Sequence, residues 1–130
     1  MKISILSSSH RKNSQSKKIS SYLYSNLLKI SSELDIYSLD LADVSLPLWS
    51  ADKKNGKGVW GDTWNLISDN LLKSDGFILV VPEYGGMATP AAKNFFLLCG
   101  SGELAHKPGL IVSVSSGNGG AYPISELRSS

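Results

Sequence analysis

Residues 2–30, KISILSSSHRKNSQSKKISSYLYSNLLKI, decide the fold. Lys2–Ser7 reads as a short apolar-rich strand and runs directly into Ser7-Ser8-Ser9-His10-Arg11-Lys12-Asn13-Ser14. From Ser16 the period becomes helical: Ile19, Tyr22, Leu23, Leu27 and Ile30 fall on one stripe. Ser14 suits the helix N-cap, because its hydroxyl can accept from a first-turn N–H that has no intrahelical partner. A strand, a serine-rich loop and an amphipathic helix form the first half of a parallel crossover unit.

The rest of the chain repeats the alternation. Leu34–Leu39, with Asp35 and Tyr37 interleaved, reads as an edge strand. A long connection from Asp40 to about Gly61 follows, with Pro47 and a Gly/Lys-rich tip at Lys53–Gly58. Trp60, Trp64, Ile67 and Leu71 then recur at helical spacing, and Gly76–Val81 is an unbroken apolar run suited to a strand buried on both faces. Pro82-Glu83-Tyr84-Gly85-Gly86 breaks that run, and a helix from about Thr89 to Leu98 starts with Pro90 in its first turn. Gly109–Val114 is a last strand, Ser115–Gly120 a second Gly/Ser loop, and Ala121–Ser130 the opening of a helix. Such alternation specifies an α/β fold, a doubly wound parallel sheet with right-handed crossovers.

Composition narrows the function. The 130 residues, 42% hydrophobic and 18% charged, suit a single domain, residues 1–130. No apolar run approaches the ~20 residues of a membrane span, and the run after Met1 is too short for a signal peptide. The chain therefore reads as soluble and cytoplasmic, with no membrane partner. Cys99 is the only cysteine, so an intramolecular disulfide and a cysteine zinc site are excluded. Net charge is +2, too small to argue for nucleic acid, but residues 1–32 carry six bases and no acid. No aromatic residue precedes Tyr22, so a base-stacking platform is unsupported there.

In open parallel sheets the ligand lies beyond the carboxyl ends of the strands. Three loops leave those ends: Ser7–Ser14, Pro82–Thr89 and Ser115–Gly120. The first places five hydroxyls (Ser7, Ser8, Ser9, Ser14, Ser16) and Arg11 around a helix N-terminus. That set fits an anion, since free N–H groups, the helix dipole and a two-pronged guanidinium all favour one, or simply a capped turn. Gly85 and Gly86 fit either a loop wrapped round a flat ring or a tight turn that needs glycine. Glu83 fits a general acid or a carboxylate that anchors its loop. A Ser-His-acid hydrolase fails: His106 lies at the opposite sheet end, His10 sits in an anion-type loop, and there is no G-x-S-x-G elbow. A phospho-receiver lacks its acids near the first strand, and no spaced metal-ligand set exists. Trp60, Trp64 and Phe95–Leu98 read as core or interface rather than cofactor contacts.

The chain resembles the NADPH-dependent FMN reductases of the flavodoxin-like fold, relatives of azo, quinone and chromate reductases. Ser8, Ser9, Arg11, Ser14 and Ser16 stand at positions of that family's G-S-x-R-x-x-S-x-N. Pro82-Glu83-Tyr84-Gly85-Gly86 with Pro90-Ala91-Ala92-Lys93-Asn94 is similar to P-E-Y-N-x-x-x-P-x-x-L-K-N. Gly102 to Pro108 is similar to G-E-L-x-x-K-P, and Ser115 to Gly120 to S-G-G-x-G-G. It departs at Ser8 for glycine, Ser16 for asparagine, Gly85 for asparagine, and Phe95-Phe96-Leu97-Leu98 for A-L-D-W.

The resemblance implies a flavodoxin-like sheet in the order 2-1-3-4, C-terminally incomplete because the family's fifth strand and last helix do not follow. It implies FMN as cofactor, its phosphate on Ser9, Arg11, Ser14 and Ser16, with Pro82, Glu83, Tyr84, Gly85, Ser115, Ser116 and Gly117 along the rest of the molecule. NADPH or NADH is then the co-substrate, and hydride passes through flavin N5 to free flavin, a quinone, an azo compound or a similar small acceptor. No catalytic side chain and no metal ligand is expected, since the cofactor carries the chemistry. Homodimers or higher homo-oligomers are expected through the helices after the third and fourth strands. The alternatives are a flavodoxin-like FMN electron carrier without NAD(P)H turnover, and a flavin-less interaction scaffold.

Overall fold

The computed structural model describes residues 1–51, 59–100, 102–117 and 119–129; the Lys53–Gly58 tip, Asn118 and Ser130 lie outside them. The strands are β1 (Lys2–Ser7), β2 (Asp35–Asp40), β3 (Gly76–Pro82) and β4 (Gly109–Val114). Between and after them run α1 (Gln15–Ile30), α2 (Asp62–Leu72), α3 (Pro90–Leu98) and α4 (Ala121–Arg128). All pairings are parallel, in the order β2-β1-β3-β4. β1 sits between two partners, with Leu6 level with Leu39 on one side and Leu79 on the other.

Side-chain parity divides the core into two layers. Leu6, Leu79 and Val81 face the side covered by α2, α3 and α4, where Trp60, Trp64, Ile67, Leu71, Phe95, Leu98 and Leu127 fill the space. Ile5, Ile78 and Val80 face the other side, against Ile19, Leu23 and Leu27 of α1. The helical stripe is narrower than its spacing predicts: Tyr22 and Ile30 are 68% and 79% exposed. Tyr22 lies at the margin of the stripe, and Ile30, the last residue of α1, borders an open groove with Ile3 and Leu27. β3 is buried almost throughout, whereas β2 and β4, at the edges, are more accessible.

The helix starts follow local chemistry. Ser14 (φ −69°, ψ 159°) accepts from Lys17 N, and Thr89 (φ −65°, ψ 147°) accepts from Ala92 N ahead of Pro90. Glu103 and Lys107 fasten the α3–β4 connection to α2. The Glu103 carboxylate takes Ser68 Oγ and Gly100 N, each at 2.8 Å, and Lys107 Nζ donates to the Leu71 and Leu72 carbonyls at 2.6 and 3.1 Å. A cation at a helix C-terminus opposes the partial negative charge there.

Phe95 is 1% exposed and meets Trp64 edge-on at 5.7 Å. Phe95→Ala should lower unfolding free energy by about 3–5 kcal/mol, the scale for emptying an aromatic core site. Urea denaturation measures it, and the m-value should not change.

Candidate functional site

All three predicted loops meet at the carboxyl end of the sheet. The first is rooted in Ser8, whose N–H and Oγ both donate to the Val80 carbonyl, at 2.9 and 3.1 Å. Its own carbonyl accepts from Thr89 Oγ1 at 2.7 Å. Ser9 Oγ then pairs with Tyr84 OH at 3.1 Å and accepts from Arg11 N. The His10 ring meets Tyr84 edge-on at 5.6 Å. Asn13 turns the chain into α1 with φ 55°, a left-handed conformation that asparagine tolerates.

The second loop is a tight turn. Tyr84 and Met87 exchange backbone hydrogen bonds at 2.9 and 3.1 Å across Gly85 (φ 58°) and Gly86 (φ 75°). Two successive positive φ values explain both glycines. Glu83 points beneath the third loop: its Oε2 accepts from Gly120 N at 2.8 Å, and its N–H donates to the Val114 carbonyl. Glu83 is thus a loop anchor. Gly119 packs so closely on this carboxylate that a Cβ there would displace it. Ser115 Oγ accepts from Gly117 N at 3.3 Å, while Ser116 and Gly117 are exposed at the rim.

Among the expected anion ligands, Ser14 Oγ is engaged by Lys17 N. Ser16 Oγ is buried in the first turn of α1 and has no hydrogen-bond partner. The first helical N–H groups lack intrahelical acceptors as a matter of geometry. Arg11 is exposed and makes no ion pair among the described residues. Lys17 does: Asp43 at 2.8 Å and then Asp40 at 3.1 Å hold its ammonium charged to a higher pH than usual, which removes it from the anion site. Pro82 is buried at the end of β3 and shapes the turn rather than presenting a polar group.

Sequence reasoning missed two clamps. Asn94 holds the segment after β2, accepting from Trp49 N at 2.8 Å and donating to the Pro47 carbonyl at 2.9 Å. Lys93 pairs with Glu126 of α4, whose Oε2 accepts from Ala88 N at 2.7 Å. The K-N motif pointed at these residues without showing what they grip. A larger apolar groove, bordered by Ile3, Leu27, Phe77 and Leu110, lies at the opposite sheet end, away from these loops. Among the described residues there is no cluster of three metal-ligating side chains, and no helix is long and apolar enough to cross a membrane.

A family model described as NADPH-dependent FMN reductase matches residues 1–130. The chain belongs to that family. Comparison with curated proteins finds no match. Among solved structures, an apo NADH:FMN oxidoreductase is similar with a TM-score of 0.79 at 20% identity, over 98% of this chain and 66% of that one. FerB, a flavoenzyme NAD(P)H:(acceptor) oxidoreductase from Paracoccus denitrificans, gives 0.66 at 21% identity, over 98% and 69%. An FMN-dependent NADH-azoreductase from Bacillus anthracis, solved with FMN, gives 0.67 at 14% identity, over 99% and 80%. These likenesses establish the flavodoxin-like fold, and the chain spans only 66% of the length of the first.

Lys93, and then the Ala88 N–H, hold the Glu126 carboxyl below the usual carboxylate range. A depressed carboxylate stabilises the fold above its unfolded pKa, and that contribution is lost as pH falls through the folded value. The Ala88 amide resonance should therefore titrate with a midpoint below that of an ordinary glutamate. Lys93→Met should move the midpoint upward.

Proposed function

We propose that this chain binds FMN across the three loops and uses NADPH or NADH to reduce a small-molecule acceptor. The observation that carries the reading is Ser16: a buried hydroxyl without a partner, in the first turn of α1, beside a loop with no acid and a free arginine. Phosphate is an anion that such a site suits. Arg11 grips phosphate oxygens from outside, Ser9 and Ser14 offer hydroxyls, and Ser16 donates from below. Tyr84, Gly85 and the Ser115–Gly117 backbone border the ring, while Pro82 and Glu83 hold the loops in register. FMN, when bound, supplies a ring that takes hydride at N5 and releases electrons to the acceptor. The protein's part is to bind, orient and exclude water, so no side chain is given an acid or base role.

Arg11→Ala should weaken FMN binding by about 1.5–3 kcal/mol, the scale of a charged hydrogen bond, or roughly 10- to 150-fold. Riboflavin, which lacks the phosphate, should bind both proteins alike. Equal weakening of the two ligands would remove the phosphate role from Arg11. Turnover is tested separately: the yellow complex should bleach anaerobically on addition of NADPH, and a pure electron carrier would not.

The reading includes a homodimer. Trp60, Trp64, Phe95 and Leu98 are spent in the chain's own core, so they offer no interface. Leu97 (53% exposed) lies three residues beyond Asn94 on α3, and Asn94 holds the strand of chain carrying Leu48 (81% exposed) and Trp49. These apolar groups form the face through which a two-fold pair would form. Sedimentation at micromolar concentration with FMN bound should give a dimer mass, and a monomer would exclude it. A cytoplasmic location belongs to the same reading, the lone free Cys99 suiting a reducing compartment.

A further inference from the structure

The three serine hydroxyls at the proposed phosphate cradle are not in the same state. Ser14 Oγ accepts from Lys17 N and keeps its own proton, while Ser16 Oγ has no partner. Ser9 Oγ is engaged twice, by Arg11 N and by Tyr84 OH, each at 3.1 Å. Ser9 is also completely buried. A hydroxyl has one proton and two lone pairs. Arg11 N–H takes a lone pair, which leaves Tyr84 OH as the partner for the proton. Buried donors are rarely left unpaired, so the Ser9 proton goes to the Tyr84 oxygen and the Tyr84 proton turns outward. Tyr84 is only half-buried, and its own O–H can reach water.

We propose that Tyr84 is a positioning residue whose hydroxyl closes the empty phosphate cradle, and that phosphate takes the Ser9 proton from it. The proposal rests on the FMN reading for the compound that carries the phosphate. Phosphate and Tyr84 compete, because Ser9 has no second proton to give. A hydrogen bond to an anion is roughly twice as strong as one between neutral groups, so the exchange runs toward phosphate. The bond given up is still a cost, and the cradle binds more weakly than its donors alone would allow. Tyr84 keeps its backbone in place through its paired bonds with Met87, so the movement is a rotation of the side chain. His10, which meets the ring edge-on at 5.6 Å, is itself exposed and can follow it. Gly85 and Gly86 put no side chain in the way. Tyr84 also borders the proposed ring site. Arrival of phosphate at one loop therefore releases a residue at the other end of the flavin, and riboflavin, with no phosphate, releases nothing.

Inorganic phosphate tests the exchange without any flavin. In phosphate-free protein a nuclear Overhauser contact should join the Tyr84 ring to the Ser9 methylene. Saturating phosphate should abolish that contact, and chloride at the same ionic strength should not. Tyr84→Phe removes the competing hydroxyl and keeps the ring. Its FMN-to-riboflavin affinity ratio should rise by roughly two- to tenfold, the range of one neutral hydrogen bond. A hydroxyl that merely supported the loop, or that bonded the phosphate itself, would lower the ratio instead. In a Ser9→Ala background Tyr84→Phe should leave the ratio where Ser9→Ala alone puts it, since the two residues share one bond. An Overhauser contact that is absent without phosphate or survives it, a ratio in Tyr84→Phe that is unchanged or lower, or an equal rise in the Ser9→Ala background would overturn the proposal. Failure of the wild type to bind FMN would overturn the cofactor reading, and the phosphate arm would still decide the exchange.

Discussion

Ser8 donates its N–H and its hydroxyl to one carbonyl on β3, and its own carbonyl receives the hydroxyl that caps α3. It is completely buried, so each of these bonds, if broken, leaves a polar group dry and unpaired. The first loop, the end of β3 and the start of α3 are thereby fixed to one another before any ligand arrives. Ser9, His10, Tyr84 and Thr89 all take their positions from that junction. A loop anchored in this way presents its hydroxyls with little ordering left to do on binding.

The motif residues divide into two kinds. Glu83, Lys93, Asn94, Glu103 and Lys107 are structural clamps, each gripping backbone or an opposite charge on a different element. Arg11, Ser16, Ser116 and Gly117 are left facing outward or unpartnered, which is what a ligand requires. Lys17 pairs with both Asp40 and Asp43 and offsets one of their two charges.

Local signals were legible in the sequence and long-range ones were not. β1 and β4 fall where their apolar runs fall, and Ser14 caps α1 as its position before the stripe implies. Trp60 and Trp64 enter the core as their spacing suggests. Tyr22 and Ile30 share the helical period yet are exposed, because periodicity reports neither how far round the helix the packing reaches nor what covers its last turn. β2 runs one residue later than its apolar pattern, since edge pairing with β1 sets its register. The Asn94 clamp joins residues 45 and 47 positions apart, and the Thr89–Ser8 bond joins residues 81 apart. Nothing in composition or spacing encodes such partners. They exist because parallel winding returns every strand end to the same rim.

The contact between Glu83 and Gly119 binds the histories of two loops together. A side chain at 119 would have to displace the Glu83 carboxylate and break its bond to Gly120 N, and shortening residue 83 loses the same bond. A change at either position alone is therefore unfavourable, while a smaller side chain at 83 would open space for a larger one at 119. Substitutions there are expected to be tolerated in pairs rather than singly, so that the two loops drift together under mutation even though they lie 36 positions apart in the chain.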